Sequence, residues 1–196
     1  GPTILESMIP PAIEKFSRRY PGTRINVETM PPHLAVEELI QRRIHLVLYH
    51  ESTLRGVAHL NRLRVRNVCD EPYWMVFRQG HPVKQVGDSL EDVVNFDWAI
   101  AGFDDLFERS LPEDIQALLQ ESGFPQYRLL SQAACIDLAQ RSDAVTTVPR
   151  SAAQLLIAKG AIEGMPHPGS FNFSVAAAVL HDAGKEPTVE HFIDCL

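Results

Sequence analysis

The sequence has 196 residues, of which 45% are hydrophobic and 22% charged, and a formal net charge of −7. Those values suit a globular chain with one sizeable core or two small lobes and exclude a disordered one. No apolar run reaches the roughly 18 residues of a membrane span, no signal-peptide pattern opens the chain, and so acidic a fragment does not grip duplex DNA by itself.

The segment from Thr3 to Arg19 reads as an amphipathic helix, with Ile4, Leu5, Met8, Ile9, Ala12, Ile13 and Phe16 at helical spacing. Pro10-Pro11 predicts a kink within it, and Tyr20-Pro21-Gly22 stops it. Arg24 to Thr29 alternates like a strand. A helix over Leu34–Arg43 and a strand over His45–Tyr49 follow. The helix–strand alternation predicts a largely parallel sheet covered by helices. Leu60 to Phe77 reads as two extended runs, broken off at Gly80-His81-Pro82. The arginines 62, 64 and 66 alternate along this stretch and read as one solvated strand face.

Ser89 is expected to cap a short helix, with Glu91 and Asp92 in its first turn. A strand over Trp98–Ala101 comes next, then a helix from Pro112 to Gly123. A strand over Arg128–Ser131 leads to a helix over Gln132–Arg141. Ala144–Val148, Arg150–Lys159 and Ile162–Pro166 continue as strand, helix and edge strand. A longer strand is expected over Phe171–Leu180, with a closing helix after Pro187. Two α/β units meeting at extended double crossings fit this order.

Chemistry-bearing patterns are sparse. Three widely spaced cysteines (Cys69, Cys135, Cys195) form no disulfide framework or CxxC pair and point to a reducing cytosol. Eight histidines make no HExxH, and His33 and His167 sit beside prolines in expected surface loops, so no metal is expected. No nucleophile elbow or phosphate-binding glycine loop is present, and Asp104-Asp105 reads as a loop or helix cap. Neither an enzyme nor a cofactor is expected.

The positive signal lies where strands end and helices begin. Ligands of open parallel sheets bind beyond the carboxyl ends of the strands, where helix N-termini offer unpaired N–H groups. Four junctions qualify: Thr3; Pro31-Pro32-His33; Gly102-Phe103-Asp104; and Ser131-Gln132. Their common placement suits a polar or anionic small molecule.

Four stretches resemble the effector-binding domain of LysR-type transcriptional regulators. They are IPPAIEKFSRRYPGTRINVE (9–28), LIQRRIHLVLYH (39–50), DEPYWMVFRQGHPV (70–83) and SDAVTTVPRSAAQLL (142–156). The third, a crossing strand followed by a His-Pro turn, is the most specific. The resemblance spans nearly the whole chain and implies a periplasmic-binding-protein-like α/β fold of type 2. Its two Rossmann-like lobes, residues 1–69 with 168–196 and residues 70–167, are joined by two crossover strands. It implies an effector cleft lined by Thr3, Pro31, Pro32, His33, Gly102, Phe103, Ser131 and Gln132. It implies a cytoplasmic homodimer or homotetramer that holds DNA only through a winged helix-turn-helix outside this chain. It also implies a strand directly before the first helix. The alternative is a solute-binding protein of a transport system, which the unpaired cysteines and absent signal peptide disfavour.

Overall fold

The computed structural model describes residues 1–102, 105–169, 172–181 and 186–196. In chain order its elements are α1 (Pro2–Ser7), α2 (Ile9–Arg19), α3 (Pro32–Ile40), β1 (Val47–His50), α4 (Glu51–Arg55), β2 (Leu63–Phe77), α5 (Leu90–Val93), β3 (Asp97–Ala101), α6 (Asp105–Ser110), α7 (Glu113–Glu121), β4 (Tyr127–Leu129), α8 (Gln132–Arg141), β5 (Ala144–Pro149), α9 (Arg150–Ala158), β6 (Glu163–Pro166), β7 (Asn172–Leu180) and α10 (Pro187–Cys195). They fall into two units. One holds Gly1, Thr3–Asp70 and Ser174–Leu196, and the other Pro2 and Glu71–Phe173.

In the first unit, the opening apolar stretch forms two helices that meet at Met8, rather than one helix kinked at its prolines. Pro10 and Pro11 fall in the first turn of α2, where a missing N–H removes no helical hydrogen bond. One face of α2 buries Ile9, Ala12 and Phe16. The apolar run of β7 is explained by burial on both sides. Ala176, Ala178 and Leu180 pack with Val36 and Leu39 of α3, and Ala177 and Val179 pack with Ile193 of α10.

Residues 24–29 form no strand. They line a groove of about 460 Å³ whose opposite wall is residues 43–49. The groove separates them from β1, which pairs through Val47–His50 with β7. With no neighbouring backbone alongside, the alternating pattern finds no ladder to join. The arginine row keeps the solvated face expected of it, with Arg62 and Arg66 exposed and Arg64 half-buried, and two of the three side chains also pair with α10. Arg64 is paired with Glu190 of α10, and Arg66 Nη2 lies 2.6 Å from Asp194 Oδ1.

In the second unit the strands run β6-β2-β5-β3-β4. Only β5-β3-β4 is parallel, whereas β2 is antiparallel to both β5 and β6. The expected largely parallel sheet is therefore mixed, because β2 enters from the first unit already running against its neighbours. The two extended runs expected over 60–77 are one strand of 15 residues. Pro72 lies within it, since its fixed φ fits extended backbone and only a ladder donor is lost.

Local expectations hold at several places here. Ser89 and Asp92 form a reciprocal capping box at α5. Trp98 is fully buried, and its indole Nε1 donates to the Val93 carbonyl at 3.0 Å. That bond satisfies the ring's single polar atom, so the whole indole contributes to the core. Met75, Phe77, Val83, Val93 and Val145 surround it.

Candidate functional site

In the second unit, the carboxyl ends of three strands converge on the start of α8. The Gly102 N–H, at the end of β3, donates to the Leu129 carbonyl at the end of β4, at 3.0 Å. Two residues later Ser131 caps α8, its Oγ accepting from the Ala134 N–H at 3.2 Å. Gln132 is buried, and its Nε2 donates to the Thr147 carbonyl of β5 at 3.1 Å. Gly102, Ser131 and Gln132 are thus brought together by β3, β4 and β5. Gly102 has φ +67°, left-handed backbone that glycine adopts without strain and that turns the chain off β3. Phe103 and Asp104, the rest of that junction, lie outside the described residues.

This arrangement presents a helix start with one N–H satisfied by a serine hydroxyl and a partial positive charge at its tip. It can hold a carboxylate or another acceptor-rich group by hydrogen bonding.

The junctions of the first unit differ from expectation in detail. Thr3 does not cap a helix: α1 opens at Gly1-Pro2, and Thr3 is a buried residue inside its first turn. The proline sets the helix start one residue earlier than the hydroxyl would. Pro31 precedes α3 and Pro32 occupies its first turn, with no side-chain cap. Pro32 is buried and His33 exposed. The Tyr49 hydroxyl of β1 donates to the Met30 carbonyl at 3.0 Å, fixing the chain just before Pro31-Pro32.

Sequence reasoning missed a polar network at the end of β1. Glu51 Oε2 accepts from Asn67 Nδ2 of β2 at 3.0 Å and from Ser174 Oγ of β7 at 3.1 Å. Asn67 also donates to Ser174 Oγ at 3.0 Å. Arg55 Nε donates to Glu51 Oε1 at 3.1 Å. The Asn67 amide, the Arg55 guanidinium and the Ser174 hydroxyl together hold the Glu51 carboxyl below the usual carboxylate range, against a smaller opposing effect of burial. An acidic residue opening a helix after a strand is a visible signal for Glu51. Nothing in the sequence links it to Asn67 and Ser174.

A second unforeseen contact lies in the other unit. Glu71 of β2 accepts from both the N–H and the Oγ of Ser151, each at 2.8 Å, at the first turn of α9. The buried hydroxyls of Thr53 and Thr146 have no hydrogen-bond partner among the described residues.

His167, expected in a surface loop, has its ring 5.7 Å from that of Trp98. Its Nδ1 accepts from the Gly169 N–H at 2.9 Å. Burial lowers this imidazole to about 4. The neighbouring proline signalled a turn but not the aromatic wall behind it. Among the described residues, no three of His, Cys, Asp or Glu group so as to hold a metal ion. No helix of the described residues is long and apolar enough to cross a membrane.

Comparison with known proteins places the whole chain in one group. The family model described as LysR substrate binding domain matches residues 1–196. The HTH-type transcriptional regulator GbpR of Rhizobium radiobacter is 26% identical over 113 residues, which are 56% of this chain and 35% of that protein. The chain therefore spans about a third of the length of this curated relative. A reduced form of OxyR from N. meningitidis superposes with a TM-score of 0.75 at 13% identity, covering 99% of this chain and 90% of that one. The regulatory domain of MetR, a LysR family regulator from N. meningitidis, gives 0.70 at 15% identity, covering 94% and 83%.

Proposed function

Because the chain belongs to the LysR substrate binding domain family, with its periplasmic-binding-protein-like α/β fold of type 2, we infer that it is the effector-sensing part of a DNA-binding transcriptional regulator. It acts by binding a small molecule and not by turnover. The effector is polar or anionic. Its contacts come from Thr3, Pro31, Pro32 and His33 in the first unit and from Gly102, Phe103, Ser131 and Gln132 in the second. The observation that carries this reading is the convergence of β3, β4 and β5 on α8, with Ser131 and Gln132 at the meeting point. Effector binding shifts the regulator between states by its differential affinity for them.

The regulator works as a cytoplasmic homodimer or homotetramer. DNA is held by a winged helix-turn-helix outside residues 1–196. In the full-length protein a strand preceding Thr3 occupies the groove between residues 24–29 and β1. The apolar lining by Ile4, Ile9, Phe16, Leu46 and Phe192 supports this.

A thermal-shift screen of carboxylates, amino acids and aromatic acids, followed by calorimetry on the best binder, tests the reading. Ser131→Ala is expected to weaken that binder while leaving the domain folded. Unchanged affinity in Ser131→Ala and in Gln132→Ala would refute the site.

A further inference from the structure

Helices α8 and α9 start at one edge of the second unit's sheet. The first follows β4 and the second follows β5, and both strands run parallel to β3, which lies between them. Both helices therefore begin at carboxyl ends of parallel strands, two strand spacings or about 10 Å apart. Ile136 of α8 packs on a buried cluster that contains Val148 of β5 and Ala153 of α9, so the helices lie on the same face. The Gln132 amide donates to the Thr147 carbonyl at 3.1 Å and ties the start of α8 to the strand that leads into α9.

The two starts are finished differently. At α9 the protein supplies its own anion: the Glu71 carboxylate accepts from the Ser151 N–H and from its Oγ, each at 2.8 Å. Helix α8 carries no acidic residue in its first turn and is capped by the neutral hydroxyl of Ser131. Arg150 occupies the first position of α9, where a cation faces the positive end of the helix and gains nothing from the dipole. Its side chain is exposed. Arg78, Arg109 and Arg141 of the same unit pair with Asp143, Asp105 and Asp137. Arg150 has no ion pair or side-chain hydrogen bond among the described residues. It stays unpaired in a chain where 25 acidic residues face 18 basic ones, so partners were not scarce.

We propose that Arg150 is the selectivity residue of the effector site: it pairs with a carboxylate seated at the start of α8 and restricts the effector to small organic acids. This role rests on the effector site proposed at that helix start. The helix tip offers an anion only a partial charge. A guanidinium adds a full charge and a fork of N–H donors that matches a planar carboxylate.

The experiment is an amide chemical-shift titration of the 196-residue chain with acetate at constant ionic strength, and with acetamide as the neutral counterpart of the same shape. Acetate should move the Ser131 and Ala134 amides saturably and bind more tightly than acetamide. Arg150→Gln should weaken acetate roughly three- to tenfold and leave acetamide unchanged. Arg150→Lys, which keeps the charge without the fork, should recover part of that loss. The thermal midpoints of the three chains should coincide. Equal acetate affinity in the parent and in Arg150→Gln overturns the role of Arg150 and leaves the site at α8 standing. Acetate that moves neither amide in the parent overturns the anion site itself and this role with it. Acetamide weakened as much as acetate, or a midpoint lowered by about 5 °C in both variants, marks Arg150 as a structural residue and also overturns the proposal.

Discussion

Lowering the pH through the histidine range should unload a specific stabilising group, His167. Its folded imidazole titrates at about 4 against an ordinary 6.5, so between those values the unfolded chain binds a proton that the folded chain refuses. Stability from this group is therefore complete above about pH 6.5, falls as the pH drops towards 4, and is gone below that. A displacement of that size corresponds to at most about 3 kcal/mol at one unit per 1.36 kcal/mol, and partial solvent access argues for about 2. The geometry gives the cause. Nδ1 must remain unprotonated to accept from the Gly169 N–H at 2.9 Å, and the ring sits beside Trp98, where desolvation disfavours its charged form. The assay is urea unfolding at pH 8, 6 and 5 for the parent chain and His167→Asn, whose amide oxygen replaces the acceptor without titrating. The parent should lose about 1–2 kcal/mol more than the variant between pH 8 and pH 5. Equal losses in the two proteins would refute the reasoning. Carboxylates such as Glu51, whose folded-state titration is lowered, also lose their stabilising effect in acid, but below their ordinary value of 4.5 and so mainly outside this window.

Other outcomes follow from the packing and the caps. Ser131→Ala should cost about 1 kcal/mol in chemical denaturation by removing the α8 cap, besides weakening the effector. Trp98→Ala should cost about 3–5 kcal/mol, since the ring is fully buried, and thermal unfolding would expose the claim if the midpoint hardly moved. Amide exchange at residues 24–29 should slow in the full-length regulator relative to residues 1–196, as expected of backbone that gains a strand partner, and equal exchange in both would contradict the strand assigned to the groove.

How much of this was legible in the sequence differs from place to place. Helix α8 was placed at its observed ends because Ser131 is a strong cap and Arg141-Ser142 ends the periodicity. The Ser89 cap of α5 and the closing helix after Pro187 were equally local and equally readable. Residues 24–29 alternate as a strand should, yet a ladder depends on a neighbour, which no local pattern can supply. The break at Met8 was misplaced because prolines were read as kinks, when two of them together also mark a first turn.

For the site the same division holds. The placement of Gly102, Ser131 and Gln132 at strand ends and a helix start was legible because glycine at a strand end and serine before a helix have local meaning. The tie from Gln132 to Thr147 was not visible. Glu51 with Asn67 and Ser174, and Glu71 with Ser151, join residues 16, 123 and 80 positions apart, and only the folded chain brings them together. His167 reads as a surface residue because its proline neighbour marks a turn, whereas its burial depends on Trp98, which lies far away in sequence.

The measurement that bears most directly on effector sensing is an amide chemical-shift titration of residues 1–196 with the same library of carboxylates, amino acids and aromatic acids. At least one compound should bind saturably and move the amides of Gly102, Ser131, Gln132 and Ala134 more than those of the remaining chain. Saturable binding that leaves those four amides in place, or no binding by any acid in the library, would contradict an effector site built on the start of α8.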